Sequence, residues 1–362
     1  MQRRTLLLAG TGAVVAAATG WTAWRVALGS STDYAHAMAL LRRPLDPSAG
    51  VAEWLRFATL AANGHNTQPW RFRADAGAVW LLPDPSRRTP VVDPDDHHLW
   101  ASLGCAAANL ELAAAASGRR GTTSFVPDDG GALRFDHASG PAEASSLLAA
   151  VPQRQSTRSV YDGRAAPSGD LAQMLAAASI PGVATVLLTD RPAIDRVRDL
   201  VIAGNTAQMG DPGFVAELRD WLRFSPRAAL ARGDGLFSAC SGNPTLPDAI
   251  GRRLFERVFT IDAENDRYAR QLDSSSGVAV FLAERDDPAH WALAGAACQR
   301  FCLMACAAGL RTAFVNQPAE VPSLRGELAA LAGLPARRPD IVLRFGYGST
   351  LPYSPRRPPP MA

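Results

Sequence analysis

Hydrophobic positions along the chain fall into two successive series of the same kind. Residues 51–60, entered through Pro47-Ser48, carry apolar side chains at helical spacing, and residues 171–178, entered through Pro167-Ser168, do the same. Each stretch predicts an amphipathic helix with its start signal in place. A short apolar run follows each one, at 79–82 and at 183–188, with the length and residue types of a strand. Two long blocks rich in small residues come next, 100–120 (WASLGCAAANLELAAAASGRR) and 291–311 (WALAGAACQRFCLMACAAGLR). Set 191 residues apart without a gap, they agree at nine of 21 positions, among them Trp100/Trp291, Gly104/Gly295, Leu112/Leu303, Gly118/Gly309 and Arg120/Arg311. Each block predicts a buried helix closed by a glycine just past its last turn. Residues 277–283 (GVAVFLA) and 340–345 (DIVLRF) read as buried strands. The pattern predicts an α+β chain made of two copies of one unit, about 31–150 and 151–362.

The second copy is longer. Between residues 205 and 260, Phe214, Leu218, Trp221 and Leu222 share one helical face, and Ser225-Pro226, Gly233-Asp234-Gly235 and Gly242-Asn243-Pro244 punctuate the rest. An insertion of this length is either functional or disordered, and its apolar face predicts a lid or packed cover. Residues 350–362 are proline-rich around Arg356-Arg357, which predicts an extended arm lying on a surface. At the other end, residues 5–24 carry no charge and directly follow Arg3-Arg4. A charged start followed by an apolar run predicts that residues 1–30 are a twin-arginine export signal read by the twin-arginine machinery, and so a destination outside the cytoplasm. The run is also long enough to cross a hydrocarbon core of ~30 Å. Ala27-Leu28-Gly29 is the nearest approach to a cleavage site, so cleavage and N-terminal anchoring both stay open.

Composition narrows the chemistry. All 37 basic residues are Arg, with no Lys, which excludes a Walker-type phosphate loop and a lysine Schiff base and leaves Arg to hold any anionic cofactor. A net charge of +3 with no aromatic-interleaved basic stripe gives no ground for a nucleic-acid partner. Five cysteines occur without a C-x-x-C pair. Cys298, Cys302 and Cys306 recur every four residues along one helix face, which cannot supply a tetrahedral metal site, so they are expected to be buried small residues. No nucleophile motif is present. His97 and His98, behind Asp95-Asp96, read as a helix start with acidic residues on its dipole.

Two polar clusters remain, one in each copy. Asn63-Gly64-His65-Asn66-Thr67-Gln68-Pro69-Trp70 is a sharp turn before a strand whose amides offer donors and acceptors to a flat heterocycle. Arg154-Gln155-Ser156-Thr157-Arg158 sets two guanidiniums four residues apart with a hydroxyl between them, a spacing that converges on a phosphate. The NTQPW loop, the R-x-S-x-R segment, the helix with internal and terminal glycines and the closing arginine pair together resemble the FMN-dependent nitroreductase family. More closely they resemble its exported, dormancy-associated branch, with two nitroreductase-like halves in one chain. The likeness covers nearly everything after residue 45.

That resemblance implies an intrachain pseudo-dimer with FMN between the halves. Arg154, Ser156 and Arg158 would hold the phosphate and ribityl chain, helped by Arg356 or Arg357. Gly64, His65, Asn66 and Gln68 would lie along the isoalloxazine, with Asn316 or Gln317 donating to it. The chemistry would belong to flavin N5, so no protein side chain is expected to be a nucleophile. The chain departs from the family pattern at Asn63-Gly64-His65, where Pro-Ser-Ser is common, and at 314–318, where a glycine usually meets the flavin edge. The implied activity is a ping-pong oxidoreductase passing hydride or electrons from a small-molecule donor to nitro, quinone or similar acceptors. The rival readings are a non-catalytic flavin-sequestering protein closed by its lid, and a scaffold that binds no flavin.

Overall fold

The computed structural model describes residues 21–143 and 145–362. The twin-arginine pair and residues 5–20 of the uncharged run lie outside the described residues. From Ser31 the chain runs α1 (Ser31–Leu41), α2 (Val51–Thr59), β1 (Trp70–Ala74), β2 (Ala78–Pro83), α3 (His97–Ala116), β3 (Arg119–Val126), β4 (Ala132–Ser139) and α4 (Ser146–Ala150). A second series opens with α5 (Ser168–Ala177) and β5 (Val183–Leu188) and then enters the insertion. The insertion comprises α6 (Arg191–Met209), α7 (Pro212–Trp221), β6 (Leu222–Arg223), α8 (Pro226–Arg232), β7 (Leu236–Phe237), α9 (Asp248–Val258) and α10 (Ile261–Asp273). The series closes with β8 (Gly277–Ala283), α11 (Pro288–Ala307), β9 (Arg311–Phe314), α12 (Gln317–Glu320), α13 (Pro322–Leu331) and β10 (Ile341–Gly346).

The duplication is visible in the topology. Each half has two strands, a 20-residue helix and two more strands, and both sheets are antiparallel with the orders β1-β2-β4-β3 and β5-β8-β10-β9. The two long helices cross where the glycines shared by the two blocks fall. A Cβ on Gly104 would lie 1.8 Å from Ala292 O, and one on Gly295 would lie 1.9 Å from Ala101 O. The contact is reciprocal, as a pseudo-twofold axis requires, and only a hydrogen at those two positions lets the backbones meet. Both helices end as their sequences predict, with Gly118 (φ 71°) and Gly309 (φ 81°) one residue past the cap.

The halves differ in how their sheets are covered. Strand β8 is buried along its whole length. Its Ala279 and Phe281 pack towards α11 with Phe301 and Phe345, while Val278, Val280 and Leu282 pack towards α6 and α13 with Val197, Val201 and Leu328. Strand β1 alternates instead, with Phe72 buried and Arg71 and Arg73 not, so the first sheet keeps one open face. Helix α3 is long and apolar enough to cross a membrane by composition, but most of it is buried between the halves.

Two boundaries depart from the sequence reading. In the first half β1 and β2 are joined by a tight turn, so the insertion proper occupies 189–276 rather than 205–260. The extra flanks were not read as inserted because Ile194, Val197 and Leu200 of α6 belong to the second sheet's core. The C-terminal arm, placed by sequence in the second unit, crosses to the first. Phe72 N donates to Pro360 O at 2.8 Å and Ala362 N to Phe72 O at 2.7 Å, which extends the first sheet at its β1 edge. Proline is tolerated there because the arm is an edge strand whose remaining N–H groups are not needed by the ladder.

Candidate functional site

A cavity of about 620 Å3 lies between the two halves under the insertion. Nine of the eleven residues singled out from sequence line it: Gly64, His65 and Asn66 from the first half, Arg154, Ser156, Arg158, Asn316 and Gln317 from the second, and Arg356 from the arm. Gln68 and Arg357 do not. The Gln68 amide faces away, donating to Gly233 O at 2.8 Å and accepting from Arg357 N at 2.9 Å, while Arg357 Nη2 donates to Gln68 O at 2.9 Å. These two residues hold the arm and the cover to the loop.

The loop itself is strained. His65, Asn66 and Gln68 all sit at positive φ (46°, 54° and 56°), a left-handed region that L-residues adopt only under outside constraint. The constraint is visible in the bonds around Asn66. Its Nδ2 donates to Gly235 O at 3.0 Å and to Pro355 O at 3.1 Å, its Oδ1 accepts from Arg356 Nη1 at 2.7 Å, and its carbonyl accepts from Gly235 N at 3.1 Å. The Asn66 amide therefore ties loop, cover and arm together and leaves little of itself for a ligand. The His65 Nδ1 is buried without a partner, and burial beside Arg158 and His98 pushes its imidazole pKa down to about 4.

Four guanidiniums converge on the cavity with no carboxylate paired to any of them among the described residues: Arg42, Arg154, Arg158 and Arg356. Arg154 is 3% exposed, gives one Nη2 bond to Leu60 O at 3.0 Å and leaves its Nε unpartnered. Arg42 Nη1 reaches the carbonyls of Pro152 (2.8 Å) and Arg154 (3.1 Å), and burial together with Arg154 lowers its pKa to about 10. Arg356 donates to the carbonyls of Thr59, the last residue of α2, and of Ala61 just beyond it, and burial pushes it well below the ordinary arginine range. Desolvation also lowers Arg158. Buried like charges with no acid between them are costly, and an anion in the cavity would offset that cost.

The segment carrying Arg154 and Arg158 is fixed from behind. Thr157 N donates to Thr312 O at 2.8 Å, and Ser156 bridges Thr312 of β9. The fully buried Arg344 of β10 gives Nη2 bonds to Thr157 O (3.2 Å) and Ser159 O (2.7 Å), with its guanidinium 3.9 Å from the Tyr161 ring centre. Asn316 is partly committed too, its Oδ1 accepting from Val342 N at 2.9 Å. Gln317 keeps a buried Oε1 without a partner on the cavity wall.

Several lining residues were not read from sequence. Arg42 sits outside any motif. His98 sits in the first turn of α3 as predicted, and its ring also lines the cavity 3.5 Å from Glu320 Oε1, where burial followed by the neighbouring His97 lowers its pKa to about 4. The helix starts at His97 behind its acidic residues as predicted, and the side chain of Asp93, further upstream, accepts from His98 N (2.9 Å) and Leu99 N (3.0 Å), while Asp95 and Asp96 pair with Arg338 and Arg88. Glu320 accepts from Gln208 Nε2 of the insertion at 2.6 Å, and burial raises its pKa. The insertion adds an apolar wall of Phe214, Leu218, Phe224 and Phe255. It is latched by Glu217, which accepts from Val91 N (3.0 Å) and Val92 N (3.1 Å), and by Asp234, which pairs with Arg87 at 2.7 Å and with Arg223 at 2.6 Å. The cysteines are free, and Cys105, Cys298 and Cys302 are buried between the halves as small core residues.

Fold and site together define an α+β protein whose two like halves enclose an anion-receptive cavity under a helical cover. No protein-family model matches the chain. It is similar to a Mycobacterium tuberculosis H37Rv protein provisionally named NAD(P)H nitroreductase Rv3131, with 28% identity over 312 residues, 84% of this chain and 88% of that protein. It is also similar to that organism's acg, given the same provisional name, with 27% identity over 323 residues, 84% of this chain and 92% of that protein. Among solved structures, the FMN-dependent nitroreductase NfnB of Mycobacterium smegmatis overlays 56% of this chain and 88% of its own at 13% identity with a TM-score of 0.37, an overlay too loose to support anything further.

Proposed function

We propose that the chain is an FMN-binding, nitroreductase-like oxidoreductase that passes electrons from a nicotinamide-type donor to nitro, quinone or similar acceptors by a ping-pong route. The observation that carries this reading is the set of four guanidiniums around one cavity with no carboxylate paired to them among the described residues, and with the Arg154 Nε buried and unpartnered. The provisional names of the two tuberculosis relatives, similar along most of the chain, support the same reaction class. The residues present fit the cofactor. Arg154, Ser156 and Arg158 would receive the phosphate, with Arg42 and Arg356 adding positive potential. The unpartnered Gln317 Oε1 and His65 Nδ1 would face the polar edge of the ring. A bound flavin supplies the hydride chemistry; the protein's part is to bind and orient it and to keep water away from it.

The twin-arginine reading agrees with this site. A route that carries folded proteins would deliver a cavity assembled from both halves with its cofactor already enclosed, so we propose an exported protein. The latches on the cover favour a second reading, a flavin store that does not turn over.

The visible spectrum of the protein purified from a flavin-replete host decides first. A colourless chain that does not take up added FMN refutes both readings. A yellow chain bleached within seconds by anaerobic NADH or NADPH is the oxidoreductase, and one that stays yellow is the store. Arg154→Ala with Arg158→Ala is expected to weaken FMN binding by at least 100-fold, because each charge-assisted contact contributes about 1.5–3 kcal/mol.

A further inference from the structure

The N-terminal edge of the described chain is docked on the insertion. Residues 21–28 are helical, and Arg227 Nη1 of α8 donates to Val26 O at 3.0 Å. Gly29 follows at φ 82°, where a Cβ would lie 2.7 Å from Arg227 N, so the chain turns tightly against α8. Helix α1 begins at once, with Ser30 Oγ accepting from Asp33 N at 3.0 Å, and its Tyr34 and Met38 pack against Ala229, Phe237 and Cys240 of the insertion. The exit from the uncharged N-terminal run is therefore fixed to the cover.

The surface around this junction is both apolar and basic. Trp21, Val26 and Leu40 are 63%, 60% and 57% exposed, and Leu230 of α8 is exposed as well. Arg25, Arg227 and Arg232 are exposed on the same segments, and none of them is in an ion pair among the described residues. Residues 5–24 carry no charge, a run of the length needed to cross a hydrocarbon core of ~30 Å. Tryptophan at the end of such a run followed by exposed arginine is the composition of a membrane interface, where indole sits at the headgroup level and guanidinium reaches lipid phosphate.

We propose that residues 21–29, α1 and α8 form a surface that seats on an anionic bilayer, with the uncharged run upstream retained as its anchor, so that the cover side of the molecule faces lipid. The inference is independent of the flavin reading.

The test uses the full chain with phosphatidylcholine vesicles, with and without phosphatidylglycerol. The chain is expected to sediment with both kinds of vesicle. Amides of 227–232 should exchange at least tenfold more slowly on the anionic vesicles than on the neutral ones. Arg25→Glu with Arg232→Glu should abolish that slowing while sedimentation and far-ultraviolet circular dichroism stay unchanged. Trp21→Phe with Trp24→Phe should remove quenching by acyl-brominated lipid. A chain that stays in the supernatant, exchange at 227–232 indifferent to lipid charge, or a mature protein whose intact mass lacks the first 20 residues each overturns the proposal.

Discussion

At the scale of single residues, burial holds two histidines of the cavity wall in their neutral form. His98 and His65 are both pushed from the ordinary histidine value of 6.5 to about 4, mainly by burial, so each is neutral at pH 7. A histidine with a depressed folded pKa is unprotonated in the fold where the unfolded chain takes a proton. Its neutral burial is fully compatible with folding above 6.5, and stability is lost as pH falls from 6.5 towards 4. For His98 the loss between pH 7 and pH 5 is about 2 kcal/mol, from 1.36 kcal/mol per unit. The buried Glu320 has a raised pKa and acts in the opposite direction, favouring the fold at low pH. The contribution of His98 is therefore read as a difference. Urea midpoints at the two pH values should show the wild type losing about 2 kcal/mol relative to His98→Gln on acidification. Equal losses in the two proteins would mean that the imidazole carries a proton in the fold.

Among elements, the crossing of α3 and α11 is the least forgiving contact. Gly104→Ala would drive a methyl group into the Ala292 carbonyl, and Gly295→Ala would drive one into the Ala101 carbonyl. Both neighbours are backbone inside helices and cannot rotate away. Each substitution is expected to cost roughly 3 kcal/mol in chemical denaturation, whereas Gly326→Ala, exposed inside α13 with nothing within 4 Å, should stabilise by about 0.5–1 kcal/mol through helix propensity. The arm is a second such element. Removing residues 355–362 takes away Arg356 from the carbonyls at the end of α2 and frees the Asn66 amide on which the cover closes. The truncated chain should keep its circular dichroism spectrum but release bound flavin at least tenfold faster, measured by recovery of free-flavin fluorescence.

Taken whole, the protein is one cooperative body made from two repeats. The first half's core includes Trp291, Ala292 and Leu303 from the second, and the second half's core includes Ala101 from the first. A chain of residues 31–150 alone would expose the glycine face of α3 and is expected to bind a hydrophobic dye and show no sharp thermal transition, while the intact chain unfolds in a single step. Two independent transitions in the intact chain would contradict this coupling.

Much of the repeat was legible because its signals are local. The small-residue periodicity of 97–116 and 288–307, with a glycine just past each helix, follows from what each residue permits in its own turn. The apolar runs of β8 and β10, the latter broken only by Arg344, follow likewise from burial on both faces. Strands β3 and β4 carry little strand signal because they lie on the sheet with an open face, where RRGTTSFV is polar up to its last two residues and ALRFDHAS mixes polar with apolar residues, and both mimic loop text. Arg154 and Arg158 were legible as a spacing. Arg42, His98 and Glu320 were not, since each joins the cavity from a different element and no local pattern marks it.

The sequence by itself determined that the chain repeats an α+β unit, that arginine alone supplies its positive charge, and where its long helices stop, because those properties depend on residue type and on neighbours within a few positions. Only the tertiary structure decided that Gln68 and Arg357 are clamps rather than lining, that Asn66 is committed to the cover and the arm, and that four arginines share one cavity with no carboxylate paired to any of them among the described residues. Those outcomes depend on which groups meet across hundreds of residues, where the choice of partner for each hydrogen bond and charge is made by packing.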